Sequence, residues 1–142
     1  MSMRILIAVD GSEAALRAAH YAIKLAGSLK KTPELHLAYV DEPLMRSVAL
    51  NLGLEGTARY HAENSDAAVR KARAAFNRAR LEVREHLSVG DPAATILKLA
   101  QSNRCDLIVM GSHGRSPIKS LFLGSVTSKV LGADAVPVLT VR

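Results

Sequence analysis

The fold class this sequence predicts is α/β: one parallel five-stranded sheet, doubly wound, with helices on both faces. Three observations carry that prediction. Strand-like and helix-like segments alternate from end to end. The strand-like runs are short and almost wholly apolar, as strands covered on both faces are. The helix-like segments repeat apolar residues three and four apart. A chain of 142 residues fits one domain, expected to span 1–142.

The first strand is expected at 3–10 (MRILIAVD), an apolar run ending in a charge. Ser12 can cap a helix whose buried stripe is Ala15, Ala18, Ala19, Ala22, Ala26 and Leu29. Lys30, Lys31 and the breaker Pro33 close it. The second strand follows at 34–40 (ELHLAYV). Over 41–56 the pattern fails, because Pro43, Gly53 and Gly56 interrupt a half-apolar stretch. That stretch is expected to be a loop with one helical turn, and a loop so long suits a lid, a specificity loop or an interface element. A helix carrying Phe76 is expected over about 57–80, then a strand at 81–89 (LEVREHLSV), whose alternation suits a sheet edge. Asp91 and Pro92 make an N-cap and a first helical position, and Ile96, Leu97 and Ala100 supply that helix's buried stripe. The fourth strand lies at 106–110 (DLIVM). A glycine-rich loop, a helix with Val126, Val130 and Leu131, and a last strand at 136–141 (VPVLTV) complete the chain.

Aromatic residues are scarce, with two Phe, three Tyr and no Trp, so the core must be packed from Ala, Val, Leu and Ile. Cys105 is the single cysteine, which excludes an internal disulfide; just before an apolar strand it reads as a small buried thiol. Asp10 cuts the first apolar run too short for a secretory signal, and nothing approaches a membrane span, so the expected address is cytoplasmic with no membrane partner. The net charge of +6 is concentrated at Arg70, Lys71, Arg73, Arg78, Arg80 and Arg84. These alternate with Ala68, Val69, Ala72, Ala75, Phe76 and Ala79, the pattern of a solvated helix face. Nucleic acid is not the expected partner, because the aromatic platforms of single-strand binders are missing.

The most informative segment is GSHGRSPIKSLFLGS at 111–125. Gly111 and Gly114 directly follow a buried strand and leave backbone amides uncovered, a concavity suited to phosphate oxygens. Gly124 and Ser125 open the next helix, where amides and a hydroxyl can meet an anion, and Arg115 can add a charge-assisted contact. The P-loop ending Gly-Lys-Ser/Thr is absent, and a dinucleotide fingerprint would follow the first strand, where Asp10-Gly11-Ser12 stands instead. On physical grounds alone, glycines after a strand also serve as plain turns.

The spacing G-x2-G-x9-G-[ST], met by Gly111, Gly114, Gly124 and Ser125, resembles the ATP-binding signature of the universal stress proteins. The opening ILIAVDGSEAALRAAHYAIKLA, and then VGDPAATIL, DLIVMGSHGRS and GSVTSKVLGADAVPVLTV, are similar to that family's blocks in the same order. The resemblance implies a Rossmann-like sheet in the order 3-2-1-4-5, with Asp10 and Gly111 facing each other across a site at the switch point. It implies that Asp10 contacts the adenosine portion, that Ala8 and Val9 line the base pocket, and that the Val40 backbone meets adenine. Gly111, Ser112, His113, Gly114 and Arg115 would wrap the ribose and phosphates, and Gly124, Ser125, Val126 and Thr127 would grip the phosphate tail. A divalent metal, Mg or Mn, would bridge the phosphates of ATP. Homodimerisation is implied through the last strand, 137–142.

Asp10 has a second reading as the cap of the following helix, and His113 as a backbone contact whose ring stays in solvent. Ser112 beside His113 is not read as a nucleophile pair, because adjacent side chains seldom aim at each other and the G-x-S-x-G elbow is missing. His20, His36, His61 and His86 show no ligand spacing and read as surface or core residues. No catalytic residue is identified. Three functions remain in view: an adenine-nucleotide-binding stress-response dimer, an enzyme hydrolysing or transferring from ATP slowly on the same fold, and an interaction module independent of nucleotide.

Overall fold

The computed structural model describes residues 2–114 and 123–142. Strand β1 (Arg4–Ala8) is buried from Ile5 onward. Gly11, at φ 84°, turns the chain through the left-handed region into helix α1 (Glu13–Ser28). Ser12 caps α1, its hydroxyl accepting the Ala15 amide at 3.2 Å. The buried stripe of α1 is alanine throughout, which lets the helix sit close to the sheet. Strand β2 (Glu34–Asp41) leads to helix α2 (Arg46–Arg78), and strand β3 (Val83–Val89) to helix α3 (Pro92–Ser102). Asp91 caps α3 by accepting the Ala94 amide, with Pro92 in the first turn as expected. Strand β4 (Leu107–Gly111), helix α4 (Ser125–Gly132) and strand β5 (Val138–Val141) close the sequence of elements.

The five strands are parallel in the order β3-β2-β1-β4-β5, as the resemblance implied. One apolar layer, with Ile5, Ile7, Leu37, Val69 and Phe76, joins the sheet to α1 and α2. The other, with Leu6, Ile96, Ile108 and Val130, joins it to α3 and α4. In register, Ala8 faces Ala38 on one side and Met110 on the other. From β1 the chain crosses to one side of the sheet and from β4 to the other, so the ends of these two strands form the switch point.

The segment 41–56 departs from expectation. Asp41 belongs to β2, and helix begins at Arg46 rather than near residue 57. Ala49, Leu50 and Leu52 are strong helix formers, and Gly53 breaks the helix only locally, with φ 73° and ψ 179°. The arm so formed is poorly covered: Leu50 is 73% and Leu54 93% exposed. The helix ends at Arg78, with Arg80 in the left-handed region at φ 58°. Other boundaries shift by one or two residues. β3 is a sheet edge, as its alternation predicted.

Cys105 is buried, and that burial, reinforced by the charges of Asp106 and Glu34, pushes its thiol up to about 11. Among the described residues no helix is long and apolar enough to cross a membrane. The basic face of α2 is partly paired: Arg70 and Arg73 both reach Asp66, and Arg73 holds Glu85 through two nitrogens at 2.6 and 2.8 Å.

Candidate functional site

A cleft of about 750 Å³ opens at the carboxyl ends of β1, β2 and β4. Ala8, Val9 and Asp10 line it from β1 and the turn after it; Tyr39, Val40 and Asp41 line it from β2. Met110, Gly111, His113 and Gly114 form one wall with Gly124, Ser125, Val126 and Thr127 of α4 and its cap. The opposite wall is Pro43, Leu44, Met45 and Val48, with Tyr60 and Asn64 from α2.

The glycine wall is built from two segments joined by hydrogen bonds. The Gly124 amide donates to the Ser112 carbonyl at 2.7 Å, and the Thr127 hydroxyl to the Gly111 carbonyl at 2.9 Å. The Ser112 amide donates in turn to Val141 at the end of β5. These bonds hold the N-terminus of α4, whose first amides have no intrahelical acceptor, against the end of β4. Close approach is what requires the glycines. A Cβ at Gly111 would stand 2.9 Å from main-chain and side-chain atoms of Ala14, and one at Gly114 would stand 2.5 Å from Asp10 Oδ2. A Cβ at Gly124 would lie 3.3 Å from the Gly114 amide nitrogen.

Asp10 lines the cleft and braces the start of α1, whose N-cap is Ser12 rather than Asp10. Its Oδ1 accepts the Ser12 amide at 2.9 Å at the start of α1, while Oδ2 faces Gly114 across the cleft. At Val40 the sheet's own geometry leaves an edge. The β1–β2 ladder ends where the Val9 amide donates to the Ala38 carbonyl at 2.9 Å. Main-chain groups alternate in direction along a strand, and Asp41 turns its carbonyl to Gly90 beyond β3. Val40 therefore turns its amide and carbonyl to the side of Ala38, where β1 has already ended.

Of the thirteen residues expected at the site, eleven line this one cleft. Ser112 does not; it is 3% exposed and supports the loop through its main chain. Arg115 lies outside the described residues. The expectation that Ser112 and His113 do not meet is corrected, since Ser112 Oγ lies 3.0 Å from His113 Nδ1. The burial of Ser112 takes that hydroxyl away from the cleft, so the contact braces the loop.

Sequence reasoning missed the buried carboxylate of Asp41. It accepts the Tyr39 hydroxyl and His61 Nδ1–H, each at 2.7 Å, and Asn64 Nδ2 at 3.0 Å. Burial alone would raise its pKa, but the bonds from Tyr39, His61 and Asn64 outweigh burial and hold it below the usual carboxylate range. The cluster ties α2 to the end of β2. A second cluster lies outside the cleft. His36, wholly buried, donates Nε2–H to Glu34 at 3.0 Å and accepts at Nδ1 from His86 Nε2–H at 2.8 Å. Burial lowers the pKa of both imidazoles.

The sequence profile of the Universal stress protein family matches residues 1–142. The chain belongs to that family. A universal stress protein encoded in the QAH/OAS sulfhydrylase 3' region of Thermus aquaticus is 34% identical over 152 residues, covering 100% of both chains. The solved structure of MJ0577 from Methanocaldococcus jannaschii superposes with a TM-score of 0.84 at 28% identity, over 99% of this chain and 96% of that one. A universal stress protein solved in complex with cAMP gives a TM-score of 0.69 at 26% identity, over 99% and 97%. In this universal stress protein, Gly111, Gly114, Gly124 and Ser125 of the spaced motif all border one cleft.

Proposed function

We propose that this universal stress protein binds an adenine nucleotide, ATP above others, and acts in the cytoplasm as a regulatory homodimer. The observation that carries the reading is the convergence of Gly111, Gly114, Gly124 and Ser125 on one cleft wall, with the open main-chain edge of Val40 lining the same cleft. The base lies against Ala8, Val9 and Val40, whose adjacent amide and carbonyl match the acceptor and donor of an adenine edge. Asp10 Oδ2 takes a ribose hydroxyl. The phosphates lie along Gly111, His113 and Gly114 and at the N-terminus of α4, where Ser125, Val126 and Thr127 offer amides. Ser112 backs this loop, and Arg115 adds charge to it.

Mg or Mn would fit this arrangement as an ion held mainly by phosphate oxygens, with the Ser125 hydroxyl among the oxygen donors that line the cleft. Such an ion neutralises phosphate charge. No side chain is assigned a catalytic role. The cAMP-bound relative supports an adenine nucleotide as the ligand class. Residues 137–142 supply the dimer contact: β5 is a sheet edge whose outer side can pair with its copy. Sedimentation velocity giving a monomer at micromolar concentration would contradict the dimer. Gly114→Val tests the cleft, because its side chain fills the space before Asp10. ATP binding should fall at least tenfold in a variant that keeps its circular dichroism; an unchanged affinity would overturn the reading.

A further inference from the structure

The direction in which Asn64 points its amide is fixed by charge. Asp41 is held ionised by its three donors, and a carboxylate only accepts hydrogen bonds. Asn64 therefore meets Asp41 through Nδ2, at 3.0 Å, and turns Oδ1 away from it. Among the described residues, Oδ1 takes no donor. Asn64 is half-buried and lines the cleft. Its anchor Asp41 directly follows Val40 in β2, and Asn64, Asp41 and Val40 all line the same cleft. The other two donors differ: the Tyr39 hydroxyl is spent on Asp41, and His61 does not line the cleft. Met45, Val48 and Tyr60 add apolar and aromatic surface on the same wall, suited to a planar base.

We propose that Asn64 Oδ1 accepts from the exocyclic 6-amino group of a purine and so makes the cleft selective for adenine. The assignment rests on the adenine-nucleotide reading of the cleft. A 6-oxo purine brings oxygen against oxygen at this point. A purine bare at position 6 leaves Oδ1 without its donor. In either case a partly desolvated acceptor goes unmet, and affinity falls. Asp41 is the positioning residue, since its charge keeps the amide from turning over.

The test compares ATP with purine riboside triphosphate, which differs only in lacking the 6-amino group, on wild type, Asn64→Leu and Asn64→Ala. Both substitutions favour helix, and both leave Asp41 its bonds from Tyr39 and His61, so the fold is kept. Calorimetry with magnesium should show wild type preferring ATP by more than about tenfold, because the 6-amino group meets both the Val40 carbonyl and Asn64 Oδ1. Both variants should lose about five- to tenfold for ATP, the worth of the one partly exposed bond to Asn64, keep the share owed to the Val40 carbonyl, and stay within about twofold of wild type for purine riboside triphosphate. An ATP preference equal in wild type and variants overturns the role of Asn64 while leaving nucleotide binding intact. Failure of wild type to bind either nucleotide overturns both.

Discussion

Two glycines three residues apart should respond differently to the same added methyl. In Gly111→Ala the new Cβ would meet the Ala14 carbonyl carbon and Cβ at 2.9 Å and the Ala15 nitrogen at 3.0 Å. Non-bonded carbons rest about 3.5–4.0 Å apart, so something must retreat by roughly half an ångström or more. Two of those three atoms are main chain in the first turn of α1, held by the Ser12 cap, and cannot rotate aside. Overpacking of this kind costs about 1–3 kcal/mol. For a chain of this size, about 2 kcal/mol lowers the melting temperature by roughly 5–8 °C. In Gly114→Ala the Cβ meets Asp10 Oδ2 at 2.5 Å, the far end of a side chain that can swing away. The loss is then the Ser12–Asp10 bond, about 1 kcal/mol or less, while the cleft is narrowed where the ligand is proposed to lie. Urea denaturation followed by circular dichroism, paired with ATP titration, separates the two effects. Gly111→Ala should be the more destabilised variant, and Gly114→Ala the weaker binder relative to its stability. An unchanged urea midpoint for Gly111→Ala would refute the close seating of α1 on the end of β4.

Asp41→Ala should cost about 2–3 kcal/mol near neutral pH, because it strands the Tyr39 and His61 donors in a buried place. The folded pKa of Asp41 is depressed, so its contribution is complete above the unfolded value of about 4 and is lost as pH falls through the folded one. The stability gap between wild type and variant should therefore close below about pH 4, and a gap constant with pH would contradict the network. The His36–His86 pair carries the same sign in a different window. Both folded pKa values are lowered, so the unfolded chain binds more protons below about 6.5 and stability falls as pH drops through that range. Melting temperatures measured from pH 7.5 to 5.5 should decline in wild type and flatten in a His36→Leu, His86→Leu double variant; a wild-type rise on acidification would oppose this reading.

Burial patterns explain which features were legible in the sequence. β1 and β4 are covered on both faces, so they read as continuous apolar runs, and α1 shows its stripe because every buried position is alanine. Ser12 and Asp91 act as caps because capping is local, with donors three residues on. The glycine spacing was readable for the same reason, since each close approach demands a residue without Cβ wherever it falls in the chain. The arm at 46–52 was not readable: its apolar residues are largely exposed, so no periodicity marks a buried face. Asp41 was hidden because its helical partners lie 20 and 23 positions away, and His36 because His86 lies 50 away. An acidic residue after an apolar strand signals an end of burial, and only tertiary donors make it part of the strand.

Calorimetric titration of the purified chain with ATP and magnesium, after bound nucleotide has been stripped, tests the central claim most directly. Saturable binding of one nucleotide per chain is the predicted result. No detectable heat and no competition at millimolar ATP would contradict the nucleotide cleft and leave the fold as a scaffold for another role.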